Sequence, residues 1–421
     1  MLQIPFVCRI FHGEPLHTSS KNALEPTGSS DMRIERIEIR VTDLTIRLQR
    51  QRSTGAYDTG APGALLGKPV LVKIYADGVV GYGQIRPLAP HHAMPDTYAT
   101  MISMIKDVCG SRLIGQNVFD VESIHGLFDR LAPANYMARA AIDAALYDAM
   151  GKAVNQPVYN LIGGLAQPRI PLEWSISMAA DHKQMIADAE RAVKEFGIKV
   201  LCMKAGHPKG WREDARNFRA IREAVGADIA FGIDPNTGWT VAETLQALHA
   251  LQDHRIDYLE QPVKRYDLKG MAAIRRASAG VPLMADEACG SIQDAHALIA
   301  AEAADVLCIK LYKHGGITPA RKIAAMAEAA NLKINCGGLA VLSQLEAAAG
   351  AHFYASRPAE HVMPAGEFIF GLGVIGPDPI VPETDFVVKD GHVTPPSGPG
   401  LGIVVDERAL DAHTLLKEIV Q

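Results

Sequence analysis

The chain has 421 residues, 48% hydrophobic and 21% charged, with a formal net charge of -5 at pH 7. That composition supplies a large core, excludes the basic field of a nucleic-acid binder, and holds no apolar run near the roughly 18–20 residues of a membrane span. Its six cysteines (Cys8, Cys109, Cys202, Cys289, Cys308 and Cys336) stand singly with no CxxC pair, arguing against a disulfide framework or structural zinc and for a reducing, cytoplasmic setting.

Residues 1–31 carry no clean periodicity, and the opening MLQIPFVCRIF lacks the basic start of a signal peptide. They read as a disordered extension ending in EPTGSSD, with native translation expected to begin at Met32. From there MRIERIEIRV (32–41) alternates apolar and polar side chains, the period of a half-buried strand. PVLVKIYA (69–76) is a second strand, turned by Asp77-Gly78 into VVGYGQI. The intervening 50–66 is Gly-rich and loop-like. Helices are predicted over 97–113, 120–130 and 137–153, so residues 32–160 read as an α+β module.

Past residue 165 the texture changes. Short apolar runs, IPLEWSI (170–176), VLCMK (200–204), IAFGID (229–234), DYLEQP (257–262), PLMADE (282–287), VLCIK (306–310) and KINCGG (333–338), alternate with amphipathic stretches over 182–196, 212–225, 241–253, 292–303 and 318–330. The runs start roughly 24–30 residues apart, the rhythm of a βα repeat. With no GxGxxG opening a helix after the first strand, the number of units suits a (β/α)7-8 TIM-type barrel over 165–375 better than a doubly wound sheet. The tail regains strand and turn texture over 385–405, and 376–421 is expected to pack back on the N-terminal module.

The ionisable residues are not scattered. Three of these runs end in Lys204, Asp234 or Lys310, DYLEQP carries Glu260 near its end, and PLMADE closes with Asp286 and Glu287. Strand C-termini share one mouth of a barrel, so these six side chains should converge. Any one of them could be a solvated strand cap; five successive units each supplying a charge at the same place point to a site. Three carboxylates without histidine suit a hard cation, Mg²⁺ first and Mn²⁺ second. A lysine beside such a cation should have a lowered pKa and serve as a base toward a carbon acidified by a neighbouring metal-bound carboxylate. The strand-end cysteines read as small buried hydrophobes.

These segments carry a resemblance. ARAAIDAALYDAMGKAVNQPVYNLIGG (138–164), GIDPNTGW, YLEQP, ADEA, CIKLYKHGG and PPSGPGLG occur in the order they take in the enolase superfamily, and the chain resembles its muconate lactonizing enzyme branch from residue 32 to about 410. The resemblance implies an α+β cap over the barrel, Asp234, Glu260 and Asp286 as Mg²⁺ ligands, and Lys204 and Lys310 as acid/base catalysts on opposite faces of a small carboxylate. It implies that Glu287 pairs with Lys310, that Asn236 orients a ligand or a metal-bound water (or is a turn residue of DPNTG), and that the protein is a homo-oligomer, dimer to octamer. Cap loops set specificity in this family; here 50–66 and RPLAPHHAMPDT (86–97) are the matching segments, making Tyr57, Arg86, His91 and His92 candidate substrate contacts or solvated loop residues.

The sequence also departs from the pattern. Cys202 stands where the family has the first lysine of Lys-x-Lys, which puts it among the candidate substrate contacts; Gln84 replaces a glutamate; and KINCGG lacks the histidine of the mandelate racemase branch. His314 and His352 read as loop and helix residues, and LAVLSQLE follows the seventh strand in place of the usual muconate contacts. The expected activity is Mg²⁺-dependent proton abstraction next to a carboxylate, through an enediolate, leading to cycloisomerisation or to racemisation/epimerisation. Dehydration by the same first step, or carboxylate binding without catalysis, are the alternatives.

Overall fold

The computed structural model describes residues 31–43, 47–87, 94–338 and 343–421, without the side chain of Tyr57. The expected extension therefore lies outside the described residues, apart from Asp31. Strands β1 (Ile34–Thr42), β4 (Val70–Ala76) and β5 (Val79–Ile85) form the cap sheet, and the hairpin of β2 (Gln49–Arg52) and β3 (Gly55–Asp58) leaves it. That hairpin sits in the stretch read as loop. Its segment QRQRSTGAYD has no apolar alternation to betray a strand, and Gly55 takes the positive φ of 108° that closes the turn.

One helix locks the cap to the barrel. Tyr136–Ala153 is buried on nearly every side, as its alanine-rich sequence permits. Ala141 and Ala145 lie so close to β5 that a Cβ on Gly83 or Gly81 would fall 2.0 or 2.1 Å from their carbonyl oxygens, so only glycine fits the GYG of that strand. The two acids of this helix have structural work. Asp143 accepts from Ile317 N (2.6 Å) and Thr318 Oγ1 (2.7 Å) on the barrel side, while Asp148 accepts from Tyr82 N (2.8 Å) and Leu401 N (2.7 Å) on the cap side.

The barrel follows after the short β6 (Ile170–Pro171). Its strands are β7 (Glu173–Ile176), β8 (Val200–Lys204), β9 (Ala230–Asp234), β10 (Leu259–Glu260), β11 (Leu283–Ala285), β12 (Val306–Ile309), β13 (Lys333–Cys336) and β14 (Val362–Gly366). They lie parallel in sequence order, and a bridge between Leu172 and Gly366 joins the two ends. The helix predicted over 182–196 spans His182–Phe196, capped by Asp181 and stopped by Gly197 in the left-handed region. The eighth strand, VMPAG, was not among the predicted runs; Pro364 and Gly366 give it no strand signature.

The tail returns to the cap within the expected 376–421, through its last strand. Of 385–405 only β15 (His392–Val393) is strand, pairing with β6, whereas β16 (Thr414–Val420) adds antiparallel to β1. Among the described residues no helix is long and apolar enough to cross a membrane.

Candidate active site

The C-terminal ends of β8 to β12 bring the predicted charges together. Lys204, Asp234 and Glu260 are the last residues of β8, β9 and β10; Asp286 and Lys310 directly follow β11 and β12. Because β8 and β12 stand four apart in a ring of eight, the two lysines face each other across the barrel axis, with the three carboxylates on the arc between them. Lys204 Nζ donates to Asp234 Oδ2. Lys310 Nζ donates to Asp286 Oδ2 at 2.6 Å and lies 3.9 Å from Glu260 Oε1.

Electrostatics divide this arc. Burial raises the Asp234 carboxyl above its ordinary range; the Lys204 ammonium opposes that, and Glu287 and Asp286 reinforce it. Glu260 is raised further, by burial and then by Asp234. Burial acts on Asp286 as well, but Lys310 and Lys313 overcome it and hold that carboxyl well below the usual range. Both facing lysines are held as ammonium ions: burial works against their charge, and Asp234 for Lys204 and Asp286 for Lys310 outweigh it. The lowered lysine pKa expected from the sequence presumes a bound cation drawing those carboxylates away.

Do these residues suit a cation? Asp234 and Glu260 form one compact group with Cys202, and Glu260 and Asp286 form another with Cys308, so Glu260 is shared. Among the described residues Glu260 Oε1 and Asn236 Oδ1 are buried acceptors with no hydrogen-bond donor, an arrangement a cation satisfies and a hydrogen-bonded core does not. The oxygen donors are the hard type that Mg²⁺ prefers. Both thiols are fully buried and pushed upward by that burial, which keeps them protonated. The cluster can therefore hold a divalent metal.

Several expectations need correction or refinement. Glu287 receives the Asn236 amide at 3.3 Å, and the carboxylate against Lys310 is Asp286, whose two oxygens take Lys310 and Lys313 at 2.6 Å each. Asn236 does stand beside the ligands: with φ 44° its own N–H reaches Asp234 Oδ1 at 2.8 Å and its amide reaches Oδ2 at 2.8 Å. Arg86 is 1% exposed beside Glu346 on the Gln344–Ala355 helix, not on a solvated loop; burial pushes Glu346 up to about 8 despite that guanidinium. Cys202 points into the barrel interior, its Sγ 3.9 Å from Glu260 Oε2, in a cluster with Tyr258, Met284, Val306 and Cys308. His91 and His92 lie outside the described residues; Tyr57 is on β3, its side chain likewise undescribed.

The β2–β3 hairpin reaches the mouth as predicted for 50–66. Gln51 N donates to Ser177 Oγ (2.9 Å), Met178 N to Gln51 O (3.1 Å), and Ser53 Oγ to Asn236 O (2.9 Å). Two residues escaped the sequence reading. Lys313 is 3% exposed and donates to Asp286 Oδ1 (2.6 Å), Asp286 O (2.7 Å) and Cys308 O (3.1 Å). The signal was its place one helical turn after Lys310 in KLYK. Gln261, with φ 30°, accepts from Asp286 N (3.1 Å) and Ala288 N (3.0 Å) and so sets the loop that carries Asp286. His314 is structural: its Nε2 donates to Cys289 O at 2.9 Å, its Nδ1 accepts from Lys310 N at 3.3 Å, and burial depresses its pKa to about 3.

An eight-stranded parallel barrel under an α+β cap, with lysines flanking carboxylates at its C-terminal mouth, has the architecture of the enolase superfamily. Within it, the chain belongs to the mandelate racemase/muconate lactonizing enzyme family: residues 66–163 match that family's N-terminal domain and 184–409 the enolase C-terminal domain-like family. It is 35% identical to the N-succinyl-L-Arg/Lys racemase of Bacillus cereus, over 84% of this chain and 92% of that one. The chloromuconate cycloisomerase of Pseudomonas putida is 31% identical over 82% and 90% of the two chains. The crystal structure of a dipeptide epimerase from Enterococcus faecalis, complexed with Mg and the dipeptide L-Leu-L-Tyr, superposes with a TM-score of 0.78 at 29% identity, covering 88% of this chain and 99% of that one.

Proposed function

We propose that the protein is an isomerase that moves the proton α to the carboxylate of an N-acylated amino acid or dipeptide from one face of the carbon to the other. The observation that carries this reading is the pair of lysines on β8 and β12, opposed across the axis with the carboxylates between them. One lysine takes the α proton and the other returns a proton to the opposite face; the same pair can run in either direction. Asp234, Glu260 and Asp286 are the residues that would hold Mg²⁺, which when bound supplies positive charge to the substrate carboxylate as its α carbon becomes electron-rich. Asn236 and Gln261 position this set, and the β2–β3 hairpin is anchored beside it through Ser53 Oγ and Asn236 O.

The likeness to an N-succinyl amino-acid racemase and to a dipeptide epimerase supports this substrate class. Cycloisomerisation is the second reading, supported by the 31% identity to a chloromuconate cycloisomerase. Proton NMR in D₂O with Mg²⁺ separates the two. N-succinyl-L-arginine or L-Leu-L-Tyr should lose its α-proton signal while optical rotation decays, and cis,cis-muconate should stay unchanged. Consumption of muconate without α exchange on the amino-acid derivatives would select the second reading. Exchange on none of them would leave only a carboxylate-binding role.

A further inference from the structure

The opposite mouth of the barrel is open. Where a barrel of this kind is ordinarily filled by layers of side chains, the strand starts surround a cavity of about 680 Å³, within the range of small-molecule sites. Its walls are apolar: Val200, Met284 and Val306 from three strands, with Met363 and Pro364 from β14. Its floor is Glu173, 5% exposed, whose Oε2 accepts from Tyr258 Oη at 2.8 Å. Burial pushes Glu173 up to about 8, with Glu367 adding to the shift, so the floor is largely uncharged at neutral pH.

The rim carries the charge. Two of its acids are committed to holding the fold: Asp257 accepts from Phe231 N (2.7 Å) and pairs with Arg255 and Arg222, and Asp305 accepts from Leu283 N (2.9 Å) and pairs with Arg275. Arg276 and Lys333 are exposed on the same rim and form no ion pair among the described residues. Two uncommitted cations therefore stand over an apolar shaft with a neutral base.

We propose that this N-terminal mouth binds a small apolar-tailed monocarboxylate, its tail against Val200, Met284 and Met363 and its carboxylate between Arg276 and Lys333. The shape is amphipathic in the sense such an acid requires: charge complement at the opening and hydrophobic burial below it. The site opens at the end of the barrel opposite the strand ends that carry Lys204 and Lys310, with its floor residue Glu173 within electrostatic reach of both, and the proposal does not rest on the reaction proposed above.

Calorimetry on the full chain tests it, with octanoate as the probe and EDTA present to keep cations from the catalytic carboxylates. Octanoate is expected to bind with one site per chain, and octanamide about tenfold more weakly or worse. The double variant Arg276→Ala/Lys333→Ala, which alters only exposed side chains, should lose about tenfold in octanoate affinity, while Lys204→Ala binds as the parent does. No octanoate binding, equal affinity in the double variant, or loss in Lys204→Ala alone would each overturn the proposal.

Discussion

The two sides of the catalytic mouth are built on opposite electrostatic terms. On the β8–β9 side one ammonium, Lys204, faces Asp234; burial, Glu287 and Asp286 push Asp234 upward, and burial and Asp234 push Glu260 upward. On the β11–β12 side two ammoniums, Lys310 and Lys313, converge on Asp286 and hold it ionised. The first side carries more acceptor than donor and gains most from a cation; the second is already satisfied by the chain itself. Position supports the same division. Gln261 and His314 fix the β11–β12 side through the backbone, whereas Lys204 keeps 14% of its side chain exposed toward the mouth.

The largest expected effect comes from removing either lysine. Lys204→Ala and Lys310→Ala should each cut racemisation by about 10²–10⁴-fold, the range of a positioned proton-transfer group. If the two sides act on opposite faces, each variant should still exchange deuterium into only one enantiomer, a different one in each case. Exchange into both enantiomers by either variant would break the division of labour.

Stability should separate the sides next. Asp286→Asn leaves Lys310 and Lys313 buried without their carboxylate, and losing one partner of a buried pair costs about 3–5 kcal/mol. Asp234→Asn leaves only the less buried Lys204 and removes a repulsive neighbour of Glu260, so its loss in urea denaturation should be clearly smaller. For cation affinity the order should reverse, with Asp234→Asn weakening Mg²⁺ binding in calorimetry more than its effect on stability suggests. Equal midpoints for the two variants would show that the asymmetry has no energetic weight.

This asymmetry is only half legible in the sequence. The convergence was readable, because strand ends in a βα repeat face one mouth whatever the loops do, and the ionisable residue closing each run was visible as text. Lys313 showed only as a second lysine one turn after Lys310, and Gln261 was not readable, since its hydrogen bonds to backbone atoms leave no periodic trace. Neither was the partner of Lys310: Asp286 and Glu287 are adjacent in sequence, and only the backbone path after Ala285 decides which one meets the ammonium. The burial of Arg86 was hidden for a related reason, since it depends on Glu346 in a helix about 260 residues further along. The β2–β3 hairpin and β14 were missed because neither carries an apolar alternation, and both are fixed by what they pack against.

A pH series tests the same division through linkage. Glu260 is raised above its ordinary 4.5, so it binds a proton more readily in the folded state; above 4.5 its ionisation costs stability, and the cost is fully expressed once the pH passes the folded value. Asp286 is lowered below 3.8, and its contribution is present above that value and lost only as the pH falls toward the folded one. Protons therefore compete with a cation at Glu260 and not at Asp286. The rise in Tm on adding Mg²⁺ should be larger at pH 8 than at pH 5.5, measured by scanning calorimetry at fixed ionic strength. A gain independent of pH would place the cation's main contact on the Asp286 side.

The smallest effect concerns Cys202, which stands on the acceptor-rich side where the family has a lysine. Its sulfur lies 3.9 Å from Glu260 Oε2, inside one of the groups able to hold a metal. A thiol there can be a ligand or a packing residue, and the two make different demands. As packing within the cluster of Tyr258, Met284, Val306 and Cys308, replacement by alanine removes one sulfur's worth of buried volume and should cost about 1–2 kcal/mol, with turnover within about twofold of the parent. As a ligand, the same change would lower affinity for thiophilic cations such as Cd²⁺ far more than for Mg²⁺. Burial, which holds the thiol protonated, and the hard carboxylates around it favour the first outcome. Equal loss of Cd²⁺ and Mg²⁺ affinity in Cys202→Ala would mean that the sulfur acts on the site only by propping Glu260 in place.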